Sequence, residues 1–399
     1  MGGEKIVGKS KPERRYDLDW LRIVAMLAVF FYHCARFFGT EGWHLKNAVQ
    51  SETVLVLRVG LIWVWVMELF FLLSGVGTWY ALKSRTSRQY LIERGKRLLI
   101  PLYTLGLLIL IPPQFYFEIV TNGGYTGTFR EMIPLYFGEF GGFGLSRSPF
   151  TFLPFPFGGH LWFLQYLFLI SLLMLPLLLY MKSESGQRLI ATLAGWSQRR
   201  GGMFLFVIPL ALVLIGLRSI FKGQFTWADF IYYAVFFFIG YIIPADNRFT
   251  ESIKRHFWSY LSLWFAGFGG MALLITSFGY DPFSSSAPSS LIFVLFQIIA
   301  SITSWSAVLF MLSLGAKHLT FNNKILAYSN EAVLPFYIFH QTIILIVGWF
   351  VIRWNIGILP KYLIIVVVSF SLIMILYELF VRRFNIVRFF FGMRPRKIS

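Results

Sequence analysis

Two ionisable residues occupy one face of the first apolar segment of the sequence. Arg22 and His33 are eleven residues apart in LDWLRIVAMLAVFFYH (18–33), so on a helix they lie within about 20° of the same face and about 16 Å apart along the axis. A permanent cation at the membrane edge and a base deeper inside suit a long anionic donor such as acyl-coenzyme A (acyl-CoA). His33 could accept the proton of a hydroxyl that attacks the thioester. Alternatively, His33 only hydrogen bonds a neighbouring helix.

Two further arginines could bind the phosphates of such a donor. Arg94 and Arg97 are spaced i, i+3 in SRQYLIERGKRLLIP (87–101), where two guanidinium groups on one helical face can grip phosphate oxygens. The alternative is that they only set membrane orientation as cytoplasmic positive charge. Asp19 lies three residues before Arg22, close enough on a helix to form an ion pair with it.

Two glutamates also lie in apolar segments, where ionisable side chains are costly and so are candidates for function. Glu68, in MELFFLLSGVGTWY (67–80), is the nearest such carboxylate in sequence that could orient His33. It could equally be a hydrogen-bonding residue between helices. Glu378 lies four residues before Arg382, which predicts an i, i+4 ion pair at the membrane edge.

The segment SNEAVLPFYIFHQTIIL (329–345) has a proline within a helical pattern. In membranes, the backbone groups that Pro335 leaves free are satisfied by protein or by a water-filled cavity, so we expect a cavity wall here. The polar residues around this proline could hydrogen bond a sugar acceptor: Glu331, Tyr337, His340 and Gln341. For His340, a hydrogen bond between helices is an equal alternative.

His160 and Trp162 begin another apolar segment, GGHLWFLQYL (158–167). We expect His160 at the outer mouth of the protein, where it could meet the acceptor. The alternative is an interfacial histidine beside a tryptophan of the aromatic belt. We assign no role to His44, His256 or His318. The single cysteine, Cys34, excludes a disulfide within the chain and a cysteine-based zinc site, and we predict no metal site.

The composition determines the kind of fold that holds these residues. Of the 399 residues 57% are hydrophobic, including 45 Phe and 13 Trp, which exceeds the apolar content of soluble chains. We therefore predict an all-α polytopic membrane protein of about ten transmembrane helices with no soluble domain. The predicted segments are 19–38, 54–82, 98–118, 160–181, 203–221, 228–244, 258–279, 290–314, 331–352 and 361–381. They form one membrane domain over 19–385, between a cytoplasmic tail at 1–18 and a basic cytoplasmic tail at 386–399.

The net charge of +18 reflects membrane orientation rather than binding to nucleic acid, because the basic residues fall in alternate loops. One side of the predicted membrane holds 26 Lys and Arg and the other holds 8, with Arg22 and Arg58 inside spans. Both termini are therefore predicted in the cytoplasm. Arg58 is close enough to the end of its span for the side chain to reach the headgroups. The largest outer loop, 119–159, is rich in Gly, Pro and aromatic residues and could cover a cavity mouth, whereas 281–290 reads as a turn.

Several motifs in this order resemble acyltransferase family 3 membrane proteins. They are LDWLRIVAMLAVFFYH with its Arg-x10-His spacing, LFFLLSG, and ERGKRLLIP with its Arg-x-x-Arg spacing. GGHLWFLQYL, LPFYIFHQTIIL and ILYELFVRRFNIVRFFFG resemble the branch that contains glucan biosynthesis protein C. The resemblance covers nearly the whole chain.

The resemblance implies an enzyme that moves acyl groups, acetyl or succinyl, from cytoplasmic acyl-CoA to hydroxyls of a carbohydrate such as a glucan at the outer face. It implies that Arg22 and His33 are the family's Arg-x10-His pair, and that Arg94 and Arg97 bind the donor together with Arg22. Glu68 stands where many relatives have Asp. Acyl-CoA is then a co-substrate, no cofactor is needed, and the setting is a bacterial cytoplasmic (inner) membrane.

Two other classes of function fit the same polar residues. A transporter for a sugar conjugate or an organic anion also lines a helical bundle with polar side chains, but the sequence has no evident inverted repeat. A membrane scaffold without catalysis would tolerate the loss of His33. If the enzyme interpretation holds, Arg22 and His33 line one continuous cavity, with Arg94 and Arg97 at its cytoplasmic end.

Overall fold

The structure, a computed structural model, describes residues 15–138, 159–280 and 291–396, and these ranges contain helices and no strand. In chain order the helices are α1 (Tyr16–Ala35), α2 (Glu52–Ser84), α3 (Ser87–Asn122), α4 (Phe129–Gly138), α5 (Gly159–Leu173, continued by Leu175–Tyr180), α6 (Glu184–Ser197), α7 (Gly202–Arg218), α8 (Trp227–Ala245), α9 (Asn247–Arg255), α10 (Phe257–Phe278), α11 (Leu291–His318), α12 (Lys324–Val351), α13 (Ile358–Val381) and α14 (Asn385–Phe390).

Eight of these helices are long and apolar enough to cross a membrane: α1, α2, α3, α8, α10, α11, α12 and α13. The two other predicted segments, 160–181 and 203–221, correspond to the shorter apolar helices α5 and α7. The chain is therefore an all-α polytopic membrane protein, as the composition predicts.

Two elements differ from the expected boundaries. The third predicted segment begins at 98, but α3 begins at Ser87, because Thr86 and Gln89 form a capping box that starts a helix there. The predicted outer loop begins after Asn122 rather than at 119, since α3 runs to that residue, and the loop region contains α4. Residues 139–158 of that loop and the turn at 281–290 lie outside the described residues.

The predicted tail at 386–399 is partly folded against the membrane domain. α14 occupies its first residues, and Arg388 within α14 is only 6% exposed. The Arg388 guanidinium donates to Glu331 on α12 at 2.7 Å. A Cβ at Gly392 would collide with the carbonyl oxygen of Arg97, so this segment packs directly on α3.

Two glycines allow α2 and α8 to approach closely. A side chain at Gly75 would meet the carbonyl oxygen of Phe237, and one at Gly240 would meet that of Leu72. Small residues at helix contacts are the usual means of close packing in membranes. This contact fixes α2 relative to the rest of the bundle, and α2 in turn packs against α1.

α1, which carries the Arg-x10-His spacing, is surrounded by α2, α11, α12 and α13. The loop at 36–51 joins the end of α1 to the start of α2. We call this side of the bundle the outer end, and the side that holds the start of α1 the inner end, following the orientation that the charge distribution predicts. Arg22 then lies nearer the inner end and His33 lies in the last turn of α1, at the outer end.

Candidate functional site

The imidazole of His33 lies among three aromatic rings at the outer end. Its ring centroid is 5.3 Å from that of Tyr32, 6.1 Å from that of Trp43 and 5.1 Å from that of His340. The Nδ1 atom is buried and has no hydrogen-bond partner among the described residues. Since most buried polar atoms are paired, this nitrogen is available to a group that enters the site.

His340, which is fully buried, presents a second available nitrogen. Its Nδ1 lies 2.5 Å from the carbonyl oxygen of Tyr337. A carbonyl only accepts, so Nδ1 carries the hydrogen and, in the neutral ring, Nε2 is an acceptor. That Nε2 is buried and unpaired within the described ranges. The site therefore holds one buried acceptor nitrogen whose tautomer is set by the backbone.

His160 completes a histidine cluster, which comprises His33, His160 and His340. Its ring centroid is 5.4 Å from that of His340. Its Nε2 donates to the carbonyl oxygen of Ile338 at 3.0 Å, and its Nδ1 accepts from Gln114 at 2.9 Å. Both nitrogens of His160 are thus paired, which makes it a support for the cluster rather than a free base.

Gln114 connects the histidine cluster to an outer network, which comprises Gln114, Gln341, Thr342, His44 and Glu118. The Gln114 amide donates to Thr342 at 2.8 Å and its oxygen accepts from Gln341 at 3.1 Å. Gln341 also lies 3.2 Å from Nε2 of His44, whose Nδ1 is 2.6 Å from Glu118. The outer end therefore contains a connected hydrogen-bond network of two amides, a hydroxyl and a histidine–carboxylate pair.

At the other end of α1, Arg22 forms the predicted ion pair with Asp19, at 2.9 Å. Its guanidinium also lies beside Gly77 of α2, 3.8 Å from the position that a Cβ would occupy there. Arg22 therefore lies between α1 and α2, within van der Waals reach of this position.

Arg22, Arg94, Arg97 and Arg394 form an arginine cluster at the inner end. The positive charge of Arg97 interacts with those of the three others. Arg94 donates from Nε to Ser171 at 3.1 Å, while its Nη2 is buried and unpaired in the described chain. Arg394 belongs to the C-terminal segment, and its place in the cluster could not be read from sequence spacing. Such a concentration of like charge favours an anion.

The structure places Glu68 against α11. One carboxylate oxygen accepts from Ser304 at 3.4 Å, and the other is buried and unpaired within the described residues. Glu68 lies ten residues beyond Arg58 on α2, about 15 Å along the helix, whereas Arg58 packs on Tyr32, the neighbour of His33. The expectation that Glu68 orients His33 is therefore wrong in this structure, because Glu68 lies deeper in the bundle.

The predicted acceptor residues divide into two groups. Tyr337, His340 and Gln341 lie beside His160, and the Tyr337 hydroxyl donates to the carbonyl oxygen of His160 at 2.7 Å. Glu331, which the sequence groups with them, pairs instead with Arg388 of α14. It lies nine residues before His340, about 14 Å away along α12.

Trp162 packs into an aromatic group with Tyr166 and Tyr233, at centroid distances of 5.2 and 5.6 Å. Its indole contributes packing next to His160 in the chain. Glu378 forms the predicted i, i+4 pair with Arg382 at 2.7 Å.

Sequence reasoning missed Gln114 and the His44–Glu118 pair. It placed Arg58 at a span end, where the side chain would reach headgroups, but Arg58 is 4% exposed and pairs with Glu41 at 2.9 Å. The sequence signal for Gln114 is its position as a polar residue among apolar ones in PPQFYFE (112–118). Within the described ranges no group of three or more His, Cys, Asp or Glu side chains could hold a metal ion.

Comparison with known proteins identifies the family. Residues 15–378 match the family model described as an acyltransferase domain, that of acyltransferase family 3. No curated protein and no solved structure matches the chain. The match covers every residue of the histidine cluster and three of the four arginines of the arginine cluster, and the chain therefore belongs to acyltransferase family 3, a family of membrane acyltransferases.

Proposed function

We propose that this protein is a membrane O-acyltransferase that moves an acyl group from acyl-CoA to a hydroxyl of a carbohydrate. The observation that supports this most directly is the unpaired Nδ1 of His33, eleven residues along α1 from a cluster of four arginines. The arginine cluster would bind the donor phosphates, and the thioester would reach His33. The cytoplasmic side of the donor, the outer position of the acceptor and a bacterial inner membrane as the setting are parts of this proposal.

The arrangement of the arginine cluster favours binding of a phosphorylated donor over a role only in membrane orientation. The Arg94 Nε is held by Ser171 of α5, and Arg22 is held by Asp19. These contacts position two of the guanidinium groups while leaving a strong excess of positive charge. Arginine forks match phosphate oxygens in geometry and charge.

The transfer step would be general-base catalysis by His33. The acceptor hydroxyl gives its proton to His33 while its oxygen attacks the thioester carbonyl carbon. The new C–O bond forms, the C–S bond breaks, and the sulfur of coenzyme A leaves and takes up the proton from His33. The acceptor nitrogen of His340, close to His33, would receive a hydrogen bond from the incoming substrate.

The outer network supports a carbohydrate as the acceptor. Gln114, Gln341, Thr342 and His44 carry both donors and acceptors, which is what several sugar hydroxyls require. These groups pair with one another in the structure, and a bound sugar would exchange its hydroxyls for some of these contacts. A glucan is one such acceptor, and the similarity of three motifs to the glucan biosynthesis protein C branch favours it. Tyr337 adds a ring beside the cluster, with its centroid 5.5 Å from that of His340.

The test uses the purified chain in proteoliposomes with labelled acetyl-CoA and succinyl-CoA outside and glucan oligosaccharides inside. An acyltransferase releases free coenzyme A and moves the label to the oligosaccharide. The alternative, a transporter of a sugar conjugate or an organic anion, would move a labelled solute without cleaving a thioester. Absence of thioester cleavage with both donors, in vesicles that bind them, would contradict the proposal.

A further inference from the structure

Three cations surround one carboxylate at the outer end, in the loop that joins α1 to α2 and at the start of α2. Glu41 Oε1 lies 2.9 Å from Arg58, 3.5 Å from Arg36 and 3.6 Å from Lys46. We call these four residues the outer cation group. One carboxylate cannot balance three positive charges, so the group carries an excess of positive charge.

Arg58 is the least satisfied member of this group. Its side chain is 3% exposed, and only its Nη2 pairs with Glu41. Its Nε and Nη1 are buried without a hydrogen-bond partner in the described part of the chain. Leaving donors of a buried charge unpaired is costly, and such donors are rare in folded proteins. A purely structural ion pair would not require this arrangement.

Lys46 and Arg36, by contrast, have further partners. Lys46 donates to the carbonyl oxygens of Arg36 and Gly39 at 2.7 and 2.5 Å, and Arg36 donates to that of Gly42 at 3.1 Å. Burial lowers the pKa of Lys46 to about 8, with the neighbouring cations contributing and Glu41 opposing. Lys46 is therefore charged at neutral pH. Within this group, the buried donors without a partner among the described residues are those of Arg58.

These donors border the His33 site. The Arg58 guanidinium lies 4.2 Å from the ring centroid of Tyr32, the residue before His33. Trp43 stacks on His33 at 6.1 Å, and its indole Nε1 is a second buried donor without a partner among the described residues. The charges of Arg36 and Arg58 both act on His33. The excess charge and the free donors thus lie next to the reacting centre.

We propose that Arg58 and Trp43 form an anion subsite beside His33, which binds a carboxylate carried by one of the two substrates. This deepens the proposed function and rests on it for the identity of the reacting centre. The carboxylate has two possible sources, namely the free end of a dicarboxylic acyl group on the donor or an acidic sugar on the acceptor. Either would pair with the donors that Glu41 leaves free on Arg58.

The experiment measures thermal unfolding of the full chain in lipid nanodiscs with small probes, because a ligand that binds only the folded state raises the unfolding temperature. Monomethyl succinate mimics the acyl end, with neutral methyl butyrate as its match. Glucuronate mimics an acidic sugar, with neutral glucose as its match. We expect at least one carboxylate to raise the unfolding temperature of the wild type more than its neutral match does.

Two variants assign this effect to the subsite. Arg58→Gln should abolish the difference between carboxylate and neutral probe. The matched control is Arg353→Gln, which removes an exposed arginine after α12 and should keep the full difference. If Arg58→Gln does not fold, Arg58→Lys replaces it. This variant keeps the positive charge but loses the paired N–H donors of the guanidinium, so its affinity for the carboxylate should fall by roughly tenfold or more.

The probe that raises the unfolding temperature identifies the source of the carboxylate. A shift with monomethyl succinate alone identifies the acyl group as the source, a shift with glucuronate alone identifies the acceptor, and shifts with both describe a general carboxylate site. The proposal is overturned if neutral and charged probes act alike in the wild type, or if the substituted Arg58 keeps the wild-type difference. These readings do not depend on thioester cleavage, so failure of the proposed function would be seen separately.

Discussion

The ring centroids of His33 and His340 lie 5.1 Å apart, and each ring has a buried nitrogen without a hydrogen-bond partner among the described residues. The carbonyl oxygen of Tyr337 fixes the hydrogen on the other nitrogen of His340. His33 and His340 therefore present two buried nitrogens without described partners on helices that are adjacent in space and distant in sequence. In our account one removes the proton and the other orients the substrate.

Substitution of His340 should reduce transfer less than substitution of His33. His340→Asn keeps a donor for the Tyr337 carbonyl but loses the acceptor at the Nε2 position, and we expect about a tenfold lower rate, the usual value of one neutral hydrogen bond. His340→Gln keeps an acceptor near that position and should lose less. The rate of coenzyme A release checks both. A loss as large as that from removing His33 would instead make His340 the base, and an unchanged rate in His340→Asn would remove it from the mechanism.

The arginine cluster gives a prediction about donor binding. Arg94→Ala and Arg97→Ala should raise the acyl-CoA concentration for half-maximal rate more than they lower the saturated rate, because grip on distant phosphates contributes similarly to ground and transition states. Added salt should have the same effect in part. Arg188→Ala is the matched control, since Arg188 is an exposed arginine on α6 with a surface ion pair. If all three variants need the same acyl-CoA concentration for half-maximal rate, the donor phosphates bind at another site.

The close contact of α2 and α8 predicts a structural effect. Gly75→Ala adds a methyl group against the Phe237 carbonyl, whereas Gly216→Ala on α7 enters open space. Overpacking of this kind costs about 1–3 kcal/mol, so Gly75→Ala should lower the unfolding temperature in nanodiscs and Gly216→Ala should not. A Gly75→Ala protein as stable as the wild type would show that the two helices can separate without cost.

Some of these features could be predicted from the sequence and others could not. The segments that cross the membrane follow from hydropathy, and the Arg22–Asp19 and Glu378–Arg382 pairs follow from helical spacing within one element. The histidine cluster depends on how α1, α5 and α12 pack, which no local pattern records. For the same reason the expected partnership of Glu68 with His33 failed. His33 lies in the last turn of α1 at the outer end, whereas Glu68 lies farther along α2, deeper in the bundle.

The burial of Arg58 also depends on packing that the sequence does not show. Its position near the end of a span suggested a side chain that reaches the headgroups. The loop at 36–51 folds over it instead and supplies Glu41, so the residue is buried beside the site. The sequence contains each member of the outer cation group, and only the packing of the loop on α2 brings them together.

The most direct test of the account compares His33→Gln with His318→Gln in nanodiscs. Two quantities are measured for each variant, namely the affinity for acyl-CoA by equilibrium binding and the rate of coenzyme A release with saturating donor and acceptor. His318 is an exposed histidine at the end of α11 and serves as the control. If His33 is the base, both variants bind acyl-CoA like the wild type, while His33→Gln alone loses about 10²–10⁴-fold in rate. A rate for His33→Gln equal to that of the control would contradict the assignment of His33 as the base.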